Sequence, residues 1–92
     1  MAIKGFQQIA LSGTTIYTLT IPAGANLAVV QADTANVRMR LDGTNPDANT
    51  GETLVALATP RQLSLVEMAA AKFTPASGSP KLNVHYYGSD GP

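Results

Sequence analysis

Val37-Arg38-Met39-Arg40-Leu41-Asp42-Gly43-Thr44-Asn45-Pro46 is the stretch that decides the fold class. Its first five residues alternate with period two. Val37, Met39 and Leu41 therefore point to one side of an extended strand, and Arg38 and Arg40 to the other. Asp42-Gly43 ends the alternation, and the chain continues through Asp47 and Asn49 to Gly51 in turn-forming residues. This is a half-buried strand running into a long polar loop, and no catalytic chemistry lies in it.

Outward from that strand the same vocabulary repeats. Towards the N-terminus no charged residue occurs between Lys4 and Asp33. Polar residues such as Gln7, Thr14, Thr18 and Asn26 interrupt this stretch too often for a bilayer span. It reads as a strand over Ile16–Ile21, a turn over Pro22–Asn26 and a second strand over Leu27–Ala32. Residues 1–12 are either an arm or a core strand. Towards the C-terminus, Thr53–Leu57 is a short strand ended by Pro60. Gln62–Val66 alternates again, with Leu63 and Leu65 inward. Glu67–Lys72 has the best helix propensity in the chain but is too short for a stable helix, so one turn or a wide loop is expected. Lys72–Thr74 is extended into Pro75, residues 76–80 turn, and Lys81–Tyr87 is a closing strand with Leu82, Val84 and Tyr86 inward. Residues 88–92 are expected to fray. Seven to eight short strands with regular turn signals predict one all-β domain over residues 1–92, a small antiparallel β-sandwich for which a jelly-roll is one form.

Size and charge bear on function. A 92-residue chain buries only about 60–65% of its extended surface, so a lone copy is expected to be marginally stable. It has no cysteine, which removes disulfides and disfavours structural zinc. Association is the remaining supplement. Six basic and six acidic residues give zero formal net charge, so there is no steering field for nucleic acid or an anionic membrane. With only 13% charged residues the surface is weakly protected against self-association. A charge-free third of the chain also lacks the usual guard against edge-to-edge strand pairing. It is expected either to be buried on both faces or to be covered by another subunit. No signal peptide is recognised at the N-terminus.

Candidate chemistry is sparse. His85 is the single histidine, and no serine sits in a nucleophile-elbow context. It reads as an exposed strand histidine or a partner contact. Asp47, Asn49 and Gly51 begin like a calcium loop, but the glycine arrives one position early and Ala58 stands where a bidentate glutamate belongs. Turn chemistry is the better account. Arg38 and Arg40 are too few for a nucleic-acid stripe; they suit either a solvated face or bidentate pairing with carboxylates of a neighbouring chain. No catalytic residue, cofactor or metal site is expected. The candidate partner-interface residues are Arg38, Arg40, Asp42, Leu27 and Val30.

The run Val37-Arg38-Met39-Arg40-Leu41-Asp42-Gly43-Thr44-Asn45-Pro46, then Gly51 and Leu54, then Leu82-Asn83-Val84-His85-Tyr86-Tyr87-Gly88 resembles small structural proteins of tailed bacteriophages, of the head-decoration or cement kind. The resemblance covers roughly Leu27 to Gly88. Leu41 stands where many relatives carry a polar residue, and Met39 where an aromatic is frequent. The resemblance implies a non-enzymatic virion component that meets the host cytoplasm during assembly and the capsid surface afterwards. Its expected partners are the major capsid protein and copies of itself, as a homo-oligomer with a trimer favoured, and not nucleic acid or membrane. Two other functions fit the residues. One is a tail, fibre-base or adaptor piece of the virion. The other is a carbohydrate-binding module stacking sugars on Tyr86, Tyr87 or Phe73.

Overall fold

The computed structural model describes residues 2–88 and contains two four-stranded antiparallel sheets. The strands are β1 (Ala2–Ala10), β2 (Tyr17–Thr18), β3 (Ala25–Asp33), β4 (Val37–Arg40), β5 (Glu52–Leu54), β6 (Arg61–Ser64), β7 (Lys72–Pro75) and β8 (Lys81–Gly88); a six-residue helix, α1 (Leu65–Ala70), lies between β6 and β7. One sheet has the order β1-β8-β3-β6 and the other β2-β7-β4-β5. The pairs β1·β8, β2·β7, β3·β6 and β4·β5 nest inside one another, as in a long antiparallel ribbon rolled into two layers.

The inward residues of both sheets build a single core. Ala28, Val30 and Ala32 of β3, Leu63 of β6, and Leu82, Val84 and Tyr86 of β8 come from the first sheet. Val37 and Met39 of β4, Leu54 and Phe73 come from the second. The alternation expected for Val37–Leu41 and for the closing strand is present as strict burial of every second residue. Leu41 lies just past β4 and is half-buried.

Several expectations are corrected. Only Tyr17–Thr18 of the Ile16–Ile21 strand pairs with a neighbour. The Thr20 N–H goes to the Gln7 side chain, which closes the corner between the sheets instead of extending a ladder. Thr53–Leu57 shrinks to Glu52–Leu54 because Leu57 is left-handed at φ 61° and donates its N–H to Ala32. Leu65 is 52% exposed, not inward. The period changes from 2 to 3.6 at Ser64, whose side chain caps α1 by accepting from the Glu67 N–H while the Glu67 carboxylate accepts from the Ser64 N–H. That reciprocal cap is why so short a helix holds where a wide loop was the alternative. Residues 2–10 are strand β1, in register along β8, so this part is not an arm. Gly88, assigned to the frayed tail, ends β8; residues 89–92 lie outside the described residues.

Two bulges flank the end of β8, between Ile3 and Gly5 on one neighbour and between Ala25 and Leu27 on the other. Gly88 sits between them, and a Cβ there would collide with the Gly24 carbonyl. The residue must be glycine for the three strands to meet.

Candidate interface: the two outer faces of the sandwich

Arg38, Arg40 and Asp42 belong to the β2-β7-β4-β5 sheet, and their polar groups are engaged within the chain. Arg38 donates from Nε to the Ala48 carbonyl at 3.1 Å and from Nη1 to the Gly51 carbonyl at 3.1 Å. The strand arginine thus straps the loop between β4 and β5 down across its own sheet. Pro46 in that loop is buried, and Asp47 caps the loop tip by accepting from the Asn49 N–H at 2.8 Å. Arg40 grips Asp42 with two parallel N–H···O bonds, and Asp42 also accepts from the Thr44 N–H and hydroxyl. The Arg40 guanidinium and then the Thr44 donors hold the Asp42 carboxyl well below the usual carboxylate range. Asp47 is lowered too, chiefly by the Asn49 N–H. This outer face is covered by the chain's own loop.

The other outer face is built differently. The register places residues in rows across the β1-β8-β3-β6 sheet: Ile3, Tyr87, Leu27 and Ser64; then Phe6, His85, Val29 and Gln62; then Gln8, Asn83 and Gln31; then Ala10, Lys81 and Asp33. Side chains in a row share the face, and neighbouring rows touch. Over β1, β8 and β3 the first two rows are apolar and aromatic, with Ser64 and Gln62 of β6 ending them, and the last two are polar and charged apart from Ala10. Phe6 is 56% exposed and Ile3 59%. The Phe6 and His85 rings lie 4.8 Å apart, tilted by 52°. Gln8 donates to Asn83 at 2.8 Å, closing the polar side of the patch. No segment among the described residues crosses the first two rows as the β4–β5 loop crosses the opposite sheet.

The structure thus separates the residues that the sequence joined into one interface. Leu27 lies half-buried in the first apolar row. Val30, its supposed companion, is fully buried because it faces the opposite sheet, so it offers nothing to a partner. Arg38, Arg40 and Asp42 lie on the far side of the molecule. His85 joins the patch beside Phe6. Sequence reasoning missed Ile3, Phe6, Val29 and Tyr87 as a group. Their shared face depends on which strands pair and in what register, and a bulge between Ile3 and Gly5 shifts the parity of the first strand. The sugar-stacking platform loses two of its three rings, since Phe73 and Tyr86 belong to the core. The Tyr86 hydroxyl, which donates to Gln7 Oε1 at 2.8 Å, is pushed up to about 12 by burial.

Among the described residues no three or more His, Asp or Glu side chains gather to hold a metal ion, and no helix is long and apolar enough to cross a membrane. Comparison of the chain with family models, with characterised proteins and with solved structures finds no match.

Proposed function

We propose that this chain is a non-enzymatic structural protein of a tailed-phage virion, attaching to the capsid through protein–protein contacts as a homo-oligomer. The observation that carries the reading is the unequal treatment of the two outer faces: one is crossed by its own loop, and the other leaves Ile3 and Phe6 exposed beside half-buried Leu27, Val29 and Tyr87. Contiguous exposed apolar surface on a small domain marks an interaction site. Aromatic side chains within such a patch, with polar residues at its border, are features of protein interfaces. The nested strand pairing supports a jelly-roll-like form of the sandwich, an architecture used in capsid shells among other proteins. Fold alone does not give function, so the weight rests on the face. Several copies bridging neighbouring capsomers would turn modest single footprints into firm attachment.

The test is co-sedimentation of the purified protein with emptied heads of the phage that encodes it. The wild type should pellet with the shells. Phe6→Glu and Val29→Glu should stay in the supernatant with unchanged circular dichroism, since neither side chain is needed by the core. Arg38→Glu frees the loop on the opposite sheet and should leave attachment intact. Attachment unaffected by Phe6→Glu and Val29→Glu would overturn the reading. Immunogold labelling on tails instead of heads would move the protein to the tail, fibre-base or adaptor position.

A further inference from the structure

The four sheet edges of this sandwich are not equivalent. β2 has two residues and β5 three, while β6 has four, begins at Arg61 and runs straight into the capped helix. β1 has nine residues, a single charge at Lys4, and β8 on one side only. Long uncharged edges are normally blunted because they pair with other chains.

The direction of the free backbone groups follows from one bond. The Leu11 N–H donates to the Pro80 carbonyl beside β8. In an antiparallel ladder alternate residues turn both N–H and C=O the same way, so Ile9 and Gln7 also face β8, while Phe6, Gln8 and Ala10 turn theirs to the open edge. Beside that edge, on the inward side, Gly5, Gln7, Thr20, Pro22 and Tyr86 line a shallow notch of about 280 Å³. A Cβ on Gly5 would reach Pro22 at 3.5 Å, on the wall of this notch.

We propose that β1 pairs antiparallel with β1 of a second copy about a two-fold axis at Gln7, joining the two four-stranded sheets into one of eight. This extends the proposed function by naming the self-contact and its symmetry, and it rests on that reading only for its role on the particle. The register is self-complementary. Phe6 of each copy is hydrogen-bonded to Gln8 of the other through the outward-turned backbone groups. Gly5 of each lies opposite Ile9 of the other, which supplies the bulk that the glycine notch lacks. Lys4 meets Ala10, and the two Lys4 residues stand six residues apart, about 20 Å, well beyond a screening length of about 8 Å at physiological salt. The β1 edge carries no carboxylate to meet a basic partner. A second copy fits this edge without bringing two like charges together. A two-fold contact gives a dimer as the basic unit, where the resemblance implies a trimer.

The chain has no native cysteine, which makes the register testable by cross-linking. Phe6→Cys and Gln8→Cys chains, mixed and oxidised, should form a disulfide heterodimer, because a hydrogen-bonded antiparallel pair holds its Cα atoms about 5.5 Å apart, within disulfide reach. Each variant alone should cross-link poorly, since the identical residues are offset by two positions. Gln8→Pro removes an N–H that takes no part in the ladder to β8, so the dimer seen by light scattering should be lost while circular dichroism is retained. Wild-type protein that stays monomeric over a wide dilution series would overturn the proposal. So would a dimer that survives Gln8→Pro, or one whose mixed cysteine chains do not cross-link. The shell-binding result stands apart: a Gln8→Pro monomer can still be tested for attachment through Phe6, so failure of the dimer and failure of the capsid reading are separable.

Discussion

Asp42 accepts hydrogen bonds from Arg40 and from Thr44, all of which favour its ionised form. Its carboxyl is depressed in the folded chain relative to the unfolded one. The clasp therefore contributes in full above the ordinary carboxylate value of about 4. That contribution is lost as pH falls towards the depressed folded value. Asp42→Asn should flatten the acid limb of the stability curve, measured by chemical denaturation at a series of acid pH values. Tyr86 titrates with the opposite sign. Between about pH 10, where the unfolded phenol ionises, and about 12, where the buried one does, the unfolded state is increasingly favoured. Tyr86→Phe should abolish that alkaline loss while giving up the hydrogen bond to Gln7 at neutral pH, about 0.5–1.5 kcal/mol. Gly51 shows a third kind of constraint. Its φ is 127°, and a Cβ would sit 2.9 Å from the Met39 carbonyl oxygen. Gly51→Ala should cost about 1–3 kcal/mol, read as a lower denaturation midpoint.

At the scale of the element, α1 is the segment in which local sequence and length conflict. Its six residues are too few to hold by propensity. Ser64 and Glu67 satisfy each other's backbone N–H groups, and Met68 enters the core beside Ala71. Arg61 reaches both Glu52 and Glu67, tying the helix start to β5. Ser64→Ala should destabilise by about 1 kcal/mol and raise amide exchange first in residues 65–70. The same Ser-x-x-Glu spacing stands in the sequence as Ser64-Leu65-Val66-Glu67, ahead of the apolar Met68. Reading the segment as a continuing strand, on the alternation of Leu63 and Leu65, hid it. Both periods fit a run of so few residues, and only the cap distinguishes them. The β4–β5 loop is a parallel case. Its turn residues were legible, but the Arg38 strap that folds it back over the sheet joins residues ten and thirteen positions apart.

For the molecule as a unit, the two sheets share one core, and substitutions there and on the outer faces should separate cleanly. Met39→Ala, at the centre of β4, should cost about 2–5 kcal/mol and weaken every function through loss of fold. Phe6→Glu on the uncovered face should leave the denaturation midpoint nearly unchanged and act on association alone. Local pattern is enough for the all-β class, the alternation of β4 and β8, the inward set Val37, Met39, Leu82, Val84 and Tyr86, and the positions of the main turns. Period-two patterning and turn chemistry are local, so the chain carries them openly. Long-range pairing settles which strands lie side by side, that Val30 faces the core while Leu27 faces out, that Arg38 and Arg40 serve their own loop, and that β1 is the long open edge. Those facts rest on strand pairing between residues as distant as Ala2 and Gly88 and on bulges that shift parity by one. A shift of one residue exchanges the two faces of a strand.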